Sequence, residues 1–131
     1  MPQPDGRKLS EAAKANDVAL VNEFLKQGAE LEWRHPRSGW TALTVACARG
    51  SYEAAEALCA HGAELDARSN SQTTPLMTAA FAGRTKICEM LLALGADPSL
   101  ENWNGKTALD QARRRNRAGC AALLQPVTPG A

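Results

Sequence analysis

No charge of one sign dominates this sequence. Fifteen Lys+Arg stand against fourteen Asp+Glu, a formal net charge of +1, so there is no global basic field to recruit nucleic acid or an anionic membrane. No apolar run approaches the roughly eighteen residues needed to span a bilayer. The first residues, Met1-Pro2-Gln3-Pro4-Asp5-Gly6-Arg7, have no apolar core of a secretory signal. A soluble protein of the cytoplasm, or of the nucleus, is the expectation. The four cysteines, Cys47, Cys59, Cys88 and Cys120, contain no CxxC pair, and the two histidines, His35 and His61, are far apart. A structural zinc site needs clustered ligands, so no metal and no cofactor is expected, and the thiols are expected to be reduced. There is no phosphate-binding GxxxxGK[ST] and no nucleophile elbow. At 131 residues the chain has room for one domain.

What the sequence does have is a period. Thr41-Ala42-Leu43, Thr74-Pro75-Leu76 and Thr107-Ala108-Leu109 recur every 33 residues, as do Ala46, Ala79 and Ala112, and Leu58, Leu91 and Leu124. Gly50 and Gly83 keep the interval, with Asn116 in the next copy, and Gly62-Ala63 is echoed by Gly95-Ala96. Leu9 and Gly28 lie 34 before Leu43 and Gly62, so one residue has been added between Trp33 and Trp40. In the best-formed copy Thr74 can cap a helix and Pro75 fits its first turn, where a missing N–H is harmless. Leu76, Ala79 and Ala80 then share one helical face. Gly83 ends that helix, and Ile87, Met90, Leu91 and Leu94 make the apolar face of a second, closed by Gly95. Two short helices cannot bury such faces alone, so neighbouring copies must stack.

These motifs resemble the ankyrin repeat family, carried by Thr74-Pro75-Leu76-Met77-Thr78-Ala79-Ala80-Phe81-Ala82-Gly83 and Met90-Leu91-Leu92-Ala93-Leu94-Gly95-Ala96-Asp97. The resemblance implies an all-α solenoid of about four stacked helix pairs with short β-hairpin loops. Its expected divisions are a capping repeat at 8–33, repeats at 34–67 and 68–100, and a C-terminal capping repeat at 101–125. Residues 1–7 and 126–131 are expected to fray. The family's inter-repeat histidine is replaced by Ser10, Thr44, Met77 and Asp110, which removes the residue that makes that network. Gln72 stands where the hairpin glycines Gly39 and Gly105 stand. An altered turn is expected at Arg68–Gln72, with Asn70 taking the positive φ. The extra residue near His35-Pro36 should lengthen the first hairpin.

The cysteines fall at packing positions in this register, where free cysteine behaves as a small hydrophobe. His61 lies two positions from Cys59 on one helix, so the side chains diverge. The carboxylates Glu30, Glu64 and Asp97, and Glu32 and Asp66, recur at loop positions and read as a solvated edge rather than a paired-carboxylate site. An enzyme is not expected.

The resemblance further implies that a protein partner docks on the concave surface of hairpin tips and first helices. By register the contacts are Arg37, Trp40 and Arg49, then Asn70 and Phe81, then Trp103, Lys106 and Arg114, with Ser38, Thr73 and Lys14 beside them. Trp and Arg combine area with directional polarity and often carry binding energy. Trp40 and Trp103 could equally pack on the next hairpin, and the sequence leaves both readings open. Residues 1–66 carry seven basic and ten acidic side chains, and residues 67–131 eight and four. The second half is thus polarised toward an acidic protein segment. The run Arg113–Arg117 gives the alternative, a nucleic-acid-associated module, although a solvated capping helix explains it as well. The expected function is that of a non-catalytic, monomeric adaptor, inhibitor or assembly factor.

Overall fold

Threonine begins the first helix of each of the last three repeats, and its chemistry sets their geometry. In the computed structural model, which describes residues 5–125, the Thr41, Thr74 and Thr107 hydroxyls accept the backbone N–H groups of Thr44, Met77 and Asp110 at 3.2–3.3 Å. Each satisfies one donor that a helix start leaves without a partner. The helices among the described residues are α1 (Gly6–Lys14), α2 (Val18–Lys26), α3 (Ala42–Arg49), α4 (Tyr52–Ala60), α5 (Pro75–Ala82), α6 (Thr85–Leu94), α7 (Ala108–Arg114) and α8 (Ala118–Leu124). Odd-numbered helices stack in one layer and even-numbered helices in a second.

Gly6 and Arg7, read from sequence as part of a frayed segment, form the first turn of α1 behind the N-cap Asp5. Gly6 is required there, because a Cβ would meet the Trp33 ring at 2.2 Å. The expectation for 126–131 lies outside the described residues.

Alanine lets the two layers approach. Ala46, Ala79 and Ala112 have no accessible surface, and Leu9, Leu43, Leu76, Leu58 and Leu91 fill the space between the layers. No strand occurs among the described residues. The hairpin loops are tight turns, closed by the His35, Ser69 and Asn102 N–H groups donating to the Trp40, Thr73 and Lys106 carbonyls at 2.9–3.0 Å. The first spans one residue more than the others, as the insertion requires. The middle turn is a correction. Gln72, not Asn70, takes the left-handed conformation, at φ 65° beside 74° and 72° for Gly39 and Gly105. Asn70 is held elsewhere: its N–H donates to the Ser38 carbonyl and its Nδ2 to the Arg37 carbonyl. The turn keeps the shape of its neighbours, and Gln72 carries the steric penalty of a side chain there.

Adjacent repeats are tied by side chains that recur with the period. At the N-cap of each later second helix, a side chain reaches back to the end of the first helix one repeat earlier. Ser51 Oγ donates to the Lys14 carbonyl at 3.2 Å, Arg84 Nη2 to that of Ala48 at 3.2 Å, and Arg117 Nε to that of Phe81 at 3.2 Å. These carbonyls lie at helix C-termini, where a donor is otherwise missing and a cation is favoured. Gly83 makes the crossing possible: at φ 75° it leaves a gap in which a Cβ would stand 2.8 Å from Arg117 Cδ. The recurrent carboxylates are ties of the same kind. Glu32 and Asp66 accept the backbone N–H groups of Glu64 and Asp97 one repeat on, at 2.8 and 3.0 Å. Arg34 and Arg68 donate to the carbonyls of Arg68 and Glu101.

Two substitutions at positive φ should move stability in opposite directions in urea denaturation. Gln72→Gly should raise it by up to about 1 kcal/mol, by relieving the left-handed strain. Gly83→Ala should lower it by more than about 1 kcal/mol, since it adds strain and displaces Arg117.

Candidate interaction groove

Because α5 turns Leu76, Ala79 and Ala80 into the core, the 3.6-residue period places Phe81 on the adjoining face with Met77 and Thr78. Phe81 remains 39% exposed. It forms one wall of an open groove of about 460 Å³ across the first-helix layer. Trp40, half-buried, also lines it, with Ala48, Thr73, Met77, Thr78 and Ala82. Arg84, Gln111 and Arg117 complete the lining. No Asp or Glu lines it. The Arg115 guanidinium lies over the Phe81 ring, 4.8 Å from its centroid, within the range of a cation–π contact.

The residues expected to form one surface fall into separate places. Trp40, Phe81 and Thr73 share the groove, and Arg49 is exposed next to the lining Ala48. Arg37 and Asn70 are joined across two hairpins by the Nδ2 bond at 2.8 Å, so Asn70 also clamps the loops. Ser38 is part of that clamp, and its hydroxyl accepts the Trp40 N–H. Lys106 and Arg114 line a second depression with Asp110, Gln111 and Arg113. Trp103 is 75% exposed, with its backbone N–H donating to the Ser71 carbonyl of the preceding hairpin. Lys14 is exposed, with its carbonyl taken by Ser51.

The expected docking set lacked Arg84, Arg115 and Arg117, the last two entering only through the alternative basic run. The signal for two of them was in the register, since Ser51, Arg84 and Arg117 are successive copies of one position. Arg115 lies one residue past α7, where a helical pattern no longer says which way a side chain turns.

Electrostatics sharpen the picture. Asp110 is the one carboxylate in the second depression, and it is engaged: its Oδ2 accepts the Thr107 N–H at 2.9 Å in a capping box. The Thr107 backbone bond, aided by its hydroxyl and by Lys106 and Arg113, holds the Asp110 carboxyl below its ordinary value. The thiols face inward. Burial raises Cys47 well above the usual thiol range and raises Cys88 too, assisted by Cys120, whose sulfur is 3.8 Å away. Such thiols are poor nucleophiles. No group of three or more His, Cys, Asp or Glu side chains among the described residues is placed to hold a metal ion. No helix among them is long and apolar enough to cross a membrane.

The stacked helix pairs, left-handed caps and hairpin turns define a repeat solenoid. The family model for ankyrin repeats (3 copies) matches residues 9–102, and the chain belongs to the ankyrin repeat family. It is similar to the E3 ubiquitin-protein ligase Ufd4 of Drosophila melanogaster, at 35% identity over 95% of this chain but 4% of that protein. It also resembles the ankyrin repeat and SOCS box protein 11 of Danio rerio, at 37% identity over 78% of this chain and 34% of the relative. A putative ankyrin repeat-containing protein of Treponema pallidum (strain Nichols) is 36% identical over 71% and 31%. The chain thus spans about a third or less of these relatives. The likeness covers repeats, which generally serve as protein-interaction modules.

Asp110 gives a pH signature. Its pKa is depressed on folding, so its contribution is present above the ordinary Asp value of 3.8 and lost as pH falls through the lower folded value. Asp110→Asn should therefore be less stable than wild type near neutral pH, and thermal melts of the two should converge as pH falls through the depressed value.

Proposed function

We propose that this chain is a non-catalytic docking module that holds a protein partner in the groove between Trp40 and Phe81. One observation carries the reading: two of six aromatic residues in the whole chain are spent on one open groove, one of them substantially exposed. An aromatic left in water adds nothing to folding and supplies contact area to a partner. Around it, Arg49 beside the groove and Lys106 and Arg114 in the adjoining depression extend the contact, and Trp103 offers a separate apolar tip. Arg37 and Asn70 serve the surface by fixing the hairpins as much as by touching a partner. The excess of cations in the second half favours a partner with an acidic segment. An adaptor, an inhibitor or an assembly factor would all work this way, because each needs only occlusion or tethering.

The nucleic-acid alternative draws less support. Arg115 covers Phe81 and Arg117 is half-buried on the Phe81 carbonyl. The run therefore does not present a continuous basic stripe of the kind that tracks phosphates.

Affinity capture from a cell lysate with wild type and a Trp40→Ala/Phe81→Ala variant tests the docking reading. Phe81 is exposed and Trp40 only half-buried, so the variant should keep its helical circular dichroism. Proteins retained by wild type should be lost by at least about ten-fold on the folded variant. Identical sets from both proteins would refute the groove.

A further inference from the structure

Arg115 over Phe81 is the feature that the fold itself does not explain. The residue is exposed, it closes the α7 C-terminus through its backbone N–H, and either task could be met by many side chains. Its guanidinium nevertheless lies over the Phe81 ring, 4.8 Å from the centroid, beside the groove that Phe81 lines. Arg84 and Arg117 line the same groove, with no carboxylate among its walls. Asp110, the nearest acid in the adjoining depression, is already held by Thr107. Arg84 and Arg117 donate to the Ala48 and Phe81 carbonyls, which fixes them in place but leaves part of each five-donor fork unused.

Resting on the docking reading above, we infer that the groove selects a protein segment in which a large apolar side chain is flanked by a carboxylate, and that Arg115 is the residue that reads the carboxylate. The apolar side chain takes the exposed Phe81 face and the space toward Trp40. The carboxylate accepts from Arg115, which exchanges a cation–π contact for a charge-assisted, two-pronged hydrogen bond. Such a trade favours Glu or Asp over Gln or Asn, whose amides cannot pair with a guanidinium as an anion does. It disfavours Lys or Arg, which would meet Arg84 and Arg117 in a groove with no carboxylate among its walls, and Arg115 beside it. Apolar anchoring gives affinity and Arg115 gives the choice.

Selection of a random linear peptide library on the full chain, followed by fluorescence anisotropy titration of the enriched peptides, tests this. Enriched peptides should carry Asp or Glu beside a large apolar residue. Replacing that acid by its amide should weaken binding about ten-fold to wild type but by less than about two-fold to Arg115→Gln. Phe81→Ala should weaken acidic and amide peptides alike. Both side chains are exposed, and circular dichroism checks that each variant is folded. Groove-dependent peptides that are neutral or basic, or an acid preference that survives in Arg115→Gln, would overturn the inference while leaving the docking groove intact. Peptides indifferent to both Trp40→Ala and Phe81→Ala would overturn both, as would failure to enrich any peptide. An oligothymidylate bound as tightly as the peptides, and released by Arg113→Glu/Arg114→Glu, would replace the protein segment with a nucleic acid.

Discussion

None of the described helices can bury its apolar face within its own pair, and everything else follows from that constraint. The longest of them has ten residues, shorter than an isolated helix needs to hold in water. Stability must come from the neighbour. The chain meets this demand twice over, with alanines that let the helix layers close and with side chains that cross from one repeat to the next. Ser51, Arg84 and Arg117 are the clearest case. Each stands at an N-cap, yet none caps its own helix. Each gives its donor to the preceding repeat. In α4 the unmet need is filled from outside, since Asn16 of the first pair accepts the Ala54 N–H at 2.9 Å. Capping has become an inter-repeat bond, so a local requirement of the helix is satisfied only by correct stacking.

The same constraint builds the groove. Its walls come from three successive repeats: Trp40 and Ala48 from one, Met77 and Phe81 from the next, Gln111 and Arg117 from the last. Arg84 and Arg117 are at once ties and lining. Fold and site therefore share residues, and the groove's cations are held by the bonds that hold the repeats together. One buried polar atom stands apart: Ser10 Oγ has no partner among the described residues, at the position where the family's linking histidine would stand. The inter-repeat hydrogen bonding expected there has moved to the N-caps and to Glu32, Asp66, Arg34 and Arg68.

Much of the architecture was legible in the sequence because periodicity reports stacking directly. Thr41, Thr74 and Thr107 announced the helix starts, Gly50 and Gly83 their ends, and the alanine columns the close approach of layers. The insertion before Trp40 was visible as a shift from 33 to 34. What the period could not give was conformation where chemistry breaks the pattern. Asn70 is the better left-handed residue by propensity, yet Gln72 takes that state because Asn70 is tied to the previous hairpin. The groove was legible only in part. Phe81 stood out as an aromatic on a first helix and Trp40 as one on a hairpin, but the tie-forming arginines resembled surface charge. Arg115 lies beyond its helix, where spacing carries no direction. Trp103 shows the converse, an expected contact residue that is exposed but outside the groove.

The central claim is that the repeats have no stability apart from their interfaces. Equilibrium urea unfolding would test it directly, followed by far-ultraviolet circular dichroism and by tryptophan fluorescence in two single-tryptophan proteins, one keeping Trp40 and one keeping Trp103. Within each of these proteins, one cooperative transition is expected, with coincident fluorescence and dichroism midpoints. A last repeat that melts at lower urea than the rest, seen as an early Trp103 transition, would contradict it.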